Sequence, residues 1–286
     1  MTTDPIASAL PLAAAAGAAL QAVIFDVDGT LADTERDGHR RAFNQAFAQC
    51  GVDWHWSVSA YGELLAVTGG KERLRHFATR HATELLRRRG GDAWLADLHQ
   101  RKNEIYRQLL GAGTIGLRPG VARLLGDLRG AGVRLAIATT TTRSNLDSLL
   151  LSSFGDDSRT LFEVIGAGDV VTDKKPAPAI YHWVLQRLRL PPVACLAVED
   201  SRPGFLAAHA AGVPTLITIN AYSADTDCSG ALSVVSDLGE PGVPARCLGG
   251  QPLNDDGYVD LAQLRRWHRT AASEAQRSPT SVLAAH

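Results

Sequence analysis

The sequence predicts a doubly wound α/β core, a parallel sheet with helices on both faces, carrying an inserted all-helical cap. Three observations carry this expectation. Short unbroken apolar runs at 22–25, 135–138, 195–198 and 215–219 read as strands buried on both faces. Helical patterns at 121–129, 145–151, 179–188 and 204–211 alternate with the later runs, as in a Rossmann-like fold. Residues 36–112 are rich in charged and aromatic helix-compatible residues, hold no convincing strand, and separate the first run from the rest.

The core is therefore expected over 21–35 and 113–270, and the helical cap over 36–112. The hinges are expected at Asp33-Thr34-Glu35 and in the glycine-rich stretch 111–116. Residues 1–20 read as a disordered Ala-rich extension. The last helix is expected over 261–267, with a frayed tail over 271–286.

At 286 residues the chain exceeds a typical single domain, which suits a core with an insertion. Lys plus Arg number 29 against 30 for Asp plus Glu, so no global field attracts nucleic acid or an anionic membrane. Any anionic ligand has to be gathered by a local site. Cys50, Cys195, Cys228 and Cys247 are far apart, the pattern of free thiols in a reducing compartment rather than of a disulfide framework or a zinc site. The opening segment has Asp4 and no basic residue, unlike a secretory signal, and no apolar run reaches the roughly twenty residues that span a bilayer. A cytoplasmic monomer with a small-molecule substrate is expected.

The chemistry gathers where the strands end. Side chains alternate along a strand, so Asp26 and Asp28 would stand on one side of the chain just beyond the first run. Two adjacent carboxylates repel, and Mg²⁺ resolves the repulsion because it takes hard oxygen ligands from few protein groups. A calcium loop does not fit: counted from Asp26, Leu31 falls where such a loop needs Gly. After the second run, Thr139 and Thr140 offer hydroxyls to a phosphoryl group or, alternatively, cap a helix. Lys175, held before a proline, offers an ammonium to phosphate or is one of a solvated lysine pair. Glu199 and Asp200 add two acids at a further strand end, where Asp200 or Ser201 could also cap the next helix. Acids, hydroxyls, lysine and acids in that order at successive strand ends would rarely arise by chance.

The segment Asp26-Val-Asp-Gly-Thr, the Thr139 region, Lys175 and Glu199-Asp200 resemble the four signature motifs of haloacid-dehalogenase-like hydrolases. Asp33-Thr-Glu with His39, the helical segment after the first strand, and Thr68-Gly-Gly-Lys-Glu-Arg resemble the beta-phosphoglucomutase and CbbY-type branch of that superfamily. The resemblance implies an aspartyl-phosphate on Asp26, with Asp28 as general acid and then base. It implies Mg²⁺ held by Asp26, the Asp28 main-chain carbonyl and Asp200, with Glu199 a ligand or a partner of one. It further implies a phosphorylated sugar as substrate, in particular xylulose 1,5-bisphosphate, a Rubisco-inhibiting by-product. The second aspartate, absent from the dehalogenases themselves, favours phosphoryl transfer.

For a bisphosphate a second anion site is needed. Gly69 and Gly70 allow close backbone approach, and Lys71 and Arg73 supply charge, although 71–75 could equally be a solvated helical face. Glu35 and His39 could hold sugar hydroxyls or lie on an ordinary solvated helix start. One departure from the family pattern is Ala179, where an acidic residue usually follows the lysine loop; it puts a helix cap in doubt rather than the chemistry. A sugar-phosphate mutase shares every one of these motifs, and a non-enzymatic regulator could share the fold.

Overall fold

In the computed structural model, which describes residues 19–224 and 226–277, strands alternate with helices as the apolar runs predict. The strands are β1 (Ala22–Phe25), β2 (Arg134–Thr139), β3 (Val164–Ala167), β4 (Cys195–Glu199), β5 (Thr215–Thr218), β6 (Ser233–Val235) and β7 (Cys247–Gly250). Between β1 and β2 lie α1 (Arg40–Gln49), α2 (Val58–Leu64), α3 (Gly70–His81), α4 (Thr83–Arg88), α5 (Asp92–Gly111) and α6 (Val121–Gly130). The remaining helices are α7 (Arg143–Phe154), α8 (Ser158–Leu161), α9 (Ala179–Leu188), α10 (Arg202–Ala210) and α11 (Leu261–Arg277).

The sheet order is β3-β2-β1-β4-β5-β6-β7, parallel throughout except for the antiparallel pairing of β6 with β7. β1 is central, and its residues divide between two cores. Val23 and Phe25 face the core shared with α6, α7 and the helices before α6, while Ala22 and Ile24 face α9 and α10. This two-sided burial is why the central strands read as unbroken apolar runs rather than as alternation.

Three strands were not anticipated. β3 is short and closes one edge of the sheet; β6 and β7 close the other, and β7 is mostly exposed and half glycine. β3 and β6 are largely buried, but Gly166 and Ser233 break their short apolar stretches and leave no run to find. The last helix runs to Arg277 and not to 267, and it takes in the first part of the expected tail, because Leu264, Trp267 and Ala271 dock it on the core and hold its turns. The expected extension at 1–18 and the tail beyond 277 lie outside the described residues. No helix among the described residues is long and apolar enough to cross a membrane.

The helical segment leaves and rejoins the sheet at one narrow place. Ala32 pairs with Leu117 in an antiparallel bridge, and the Arg118 amide donates to the Leu31 carbonyl at 2.9 Å. Buried Arg118 ties this place down. Its guanidinium donates to the carbonyls of Gly29, Thr218, Ile219 and Ser236, gathering the ends of β5 and β6 beneath the loop that follows β1. Beyond the bridge the helices pack on an aromatic cluster in which Phe43, Phe47, Trp56 and Phe77 meet at centroid distances of 4.7 to 5.9 Å.

Candidate active site

Parallel register brings the polar strand ends together. Phe25 pairs with Val198 on one side and Ile137 on the other, so Asp26 emerges between Glu199 and Ala138. Into that gap reaches the buried Lys175. Its ammonium donates to Asp26 Oδ1 at 2.7 Å, to the Ala138 carbonyl at 2.8 Å and to Glu199 Oε1 at 2.5 Å. Tyr181 donates a further hydrogen bond to the same Glu199 oxygen at 2.6 Å. Asp200 lies alongside, accepting from Asn220 Nδ2 at 2.5 Å and from Thr30 Oγ1 at 3.2 Å. Gly29, at φ 90°, is the residue that lets this happen, since a Cβ there would collide with the Asp200 carboxylate and with Asn220.

Asp26, Glu199 and Asp200 each place a carboxylate oxygen within 4.8 Å of the other two, all three buried. Three carboxylates beside one ammonium leave an excess of two negative charges in a place sheltered from water. Burial first, and Glu199 with it, pushes Asp26 up to about 7 in spite of Lys175. Burial, Asp26 and Glu199 push Asp200 well above the ordinary carboxyl range. Lys175 is raised as well: burial favours its neutral form, but the Asp26 and Glu199 charges outweigh that. Glu199 Oε2 is buried without a hydrogen-bond partner. Excess charge, all-oxygen donors and an orphaned carboxylate oxygen fit a hard divalent cation such as Mg²⁺.

Asp28 turns toward the helical segment. Its Oδ1 accepts from Thr34 Oγ1 at 2.5 Å and lies 3.0 Å from His39 Nε2. His39 stacks on Tyr106 at 4.0 Å, and its Nδ1 lies 2.8 Å from the ammonium of Lys102. Burial raises the proton affinity of Asp28, but His39, Thr34 and Lys102 together overcome it and hold the carboxyl at about 2. Lys102 itself is pushed down to about 7 by burial.

Asp26, Asp28, Glu35, Gly69, Arg73, Thr139, Thr140, Lys175 and Asp200 line one cleft of about 390 Å³ between the sheet and the helical segment. His39, Gly70 and Lys71 line a smaller adjoining pocket, and Glu199 sits behind Lys175, outside both. Thr68 closes the cleft from above by donating to the Lys175 carbonyl. Two of the expected anion-site residues stand in different settings. The Lys71 ammonium pairs with Asp169 at 2.9 Å near the protein surface. Arg73 does not lie on a solvated face; it is 5% exposed and bonded to Tyr61 and the Leu64 carbonyl. The capping alternatives resolve residue by residue. Ser201 caps α10 by accepting from the Gly204 amide, so Asp200 is not used as a cap, and α9 starts at Ala179 with no side-chain cap. Thr139 Oγ1 accepts from the Thr141 amide at 3.2 Å.

Lys102, Tyr61, Thr34 and Asn220 were missed in the sequence. For Lys102 a signal exists: it interrupts the apolar stripe Leu95, Leu98, Ile105, Tyr106 of α5, and a lysine on a buried stripe needs a reason.

The adjoining His99 yields a measurable consequence. Burial, then the Lys102 and Lys71 charges, push it down to about 3 from its ordinary 6.5. A histidine lowered on folding leaves stability intact above its unfolded value and costs stability as pH falls below 6.5, where the unfolded chain takes up the proton and the folded chain does not. From pH 7 to pH 5 the loss expected from this one group is about 2 kcal/mol. Thermal melts of the parent and of His99→Gln at both pH values check this; an equal drop in the two proteins would refute the assignment.

Comparison with known proteins gives a consistent picture. The family model of haloacid dehalogenase-like hydrolases matches residues 20–212. The chain is 46% identical over 260 residues to a CbbY protein of Cupriavidus necator, covering 90% of this chain and 100% of that one. It is 49% identical over 219 residues to a CbbY protein of Rhodobacter capsulatus, covering 77% and 94%. The crystal structure of CbbY from Rhodobacter sphaeroides in complex with xylulose 1,5-bisphosphate superposes with a TM-score of 0.70 at 43% identity, covering 78% of this chain and 96% of that one. A beta-phosphoglucomutase of Clostridium difficile shares the fold, with a TM-score of 0.65 at 17% identity over 88% of this chain and 98% of that one.

Proposed function

The chain belongs to the haloacid dehalogenase-like hydrolase family and is a phosphatase, and from that premise we propose that it dephosphorylates xylulose 1,5-bisphosphate to xylulose 5-phosphate through an aspartyl-phosphate on Asp26. The observation that carries this reading is the Lys175 ammonium bridging Asp26 and Glu199 beside the unbridged Asp200. It gives one carboxylate a fixed orientation at the cleft floor and leaves the acid cluster short of two positive charges.

Asp26 attacks phosphorus through a carboxylate oxygen, and the bond from phosphorus to the sugar oxygen breaks as Asp28 donates it a proton. Water then attacks the aspartyl-phosphate, Asp28 takes its proton, the bond from phosphorus to Asp26 breaks, and inorganic phosphate leaves. Asp28 at about 2 is set for the second step. An incoming phosphoryl dianion raises its proton affinity by like-charge repulsion, which prepares the first. Asp26, Asp200 and the Asp28 main-chain carbonyl would hold Mg²⁺, with Glu199 orienting the set, and the cation would supply charge neutralisation to the transferring group.

Lys175, Thr139 and Thr140 bind the phosphoryl oxygens. Glu35 holds sugar hydroxyls, His39, with both ring nitrogens engaged by Asp28 and Lys102, orients Asp28 instead, and Arg73 with the backbone at Gly69 and Gly70 takes the remote phosphate. Phosphate release measured with xylulose 1,5-bisphosphate and with beta-glucose 1-phosphate tests the proposal. Mg²⁺-dependent release from the bisphosphate is expected. Conversion of beta-glucose 1-phosphate to its 6-phosphate without net release would favour the mutase, and inactivity on both would favour a regulator.

A further inference from the structure

Tyr61, on α2, lies between the two groups that the proposed substrate has to reach. Its hydroxyl donates to Glu35 Oε2 at 2.5 Å and accepts from Arg73 Nη1 at 2.9 Å, while Nη1 and Oε2 themselves remain 3.8 Å apart. The Arg73 guanidinium lies over the Tyr61 ring at 5.1 Å and is fixed from behind by the Leu64 carbonyl. Neither Arg73 Nη2 nor Glu35 Oε1 makes a hydrogen bond among the described residues, and both side chains line the 390 Å³ cleft.

We infer that Tyr61 is a positioning residue for substrate recognition: its hydroxyl is a spacer that keeps the Glu35 carboxylate and the Arg73 guanidinium from closing into a direct ion pair. This rests on the reading of the cleft as a sugar-bisphosphate site. A buried guanidinium and carboxylate attract strongly where water is excluded, and in direct contact the natural geometry is bidentate. Bidentate contact would use Nη2 and Oε1. With the hydroxyl between them, each group is neutralised enough to stay buried, yet each retains one unused atom. The free guanidinium N–H suits an anionic oxygen, and the free carboxylate oxygen suits a sugar hydroxyl, so a ligand bearing both is selected together. Glu35, Tyr61 and Arg73 all lie on the helical segment, beyond the Ala32 bridge.

Tyr61→Phe keeps the ring, which packs among Phe43, Trp56 and Tyr222, and removes only the spacer. With xylulose 1,5-bisphosphate, KM is expected to rise about tenfold while kcat stays within about threefold. With acetyl phosphate, which has neither sugar hydroxyls nor a second phosphate, KM should not rise. On a Glu35→Gln background, where the attraction to Arg73 is gone, adding Tyr61→Phe should raise KM by less than about twofold. An unchanged KM for the bisphosphate, an equal loss on both substrates, or a full tenfold effect on the Glu35→Gln background would each overturn the inference. A parent protein that turns over acetyl phosphate but not the bisphosphate would instead overturn the substrate reading on which it rests.

Discussion

Asp26→Asn is expected to lower kcat on any sugar phosphate by on the order of 10⁴-fold or more, because an amide offers phosphorus no anionic oxygen and cannot form the acyl phosphate. The change is nearly isosteric, and the fold should tolerate it. Lys175 keeps its bonds to Glu199 and to the Ala138 carbonyl, and the variant loses a carboxylate that burial already disfavours. Unimpaired thermal stability beside lost turnover is therefore the expected pair of results. Acid quench of the parent during turnover should leave a phosphoryl-mass increment on the peptide holding Asp26, and the variant should show none. Parent-like turnover by the variant, or an increment on a different peptide, would remove the nucleophile from the mechanism.

Chelation of Mg²⁺ is expected to abolish turnover and to change how stability depends on pH. Asp26 is raised from 3.8 to about 7 in the cation-free protein. A carboxyl raised on folding contributes stability below its unfolded value, and that contribution is lost as pH climbs toward the folded value. Cation-free stability should accordingly fall between about pH 4 and pH 7. Mg²⁺ binds the ionised form, so its stabilising effect should grow across the same window, and saturation at about a hundred times Kd corresponds to about 2.7 kcal/mol. Calorimetric melts at pH 5 and pH 8, with and without MgCl₂, measure this. A shift in Tm on adding Mg²⁺ that is as large at pH 5 as at pH 8 would contradict a cation seated among these carboxylates.

Legibility in the sequence followed burial. β1, β2, β4 and β5 could be read because neighbours cover both their faces, and the polar residues that stop them are those that meet at the cleft. β3, β6 and β7 could not, because Gly166 and Ser233 break the short apolar stretches of the first two and β7 is exposed and half glycine. The same logic divides the site. Asp26 and Asp200 announce themselves by position at strand ends, and Lys175 by the proline that follows it. Tyr61 and Lys102 do not, because an aromatic or a lysine in an amphipathic helix is compatible with several roles until its neighbours are known. Nor could the sequence show that Asp169, distant along the chain, pairs with Lys71 beside the glycine pair.

The bridge between Ala32 and Leu117 has an evolutionary corollary. Partners in an antiparallel bridge sit only about 5 Å apart, so a replacement module of almost any length could be spliced there without altering strand order. Such a splice point lets recognition diversify while the phosphoryl-handling floor is inherited unchanged.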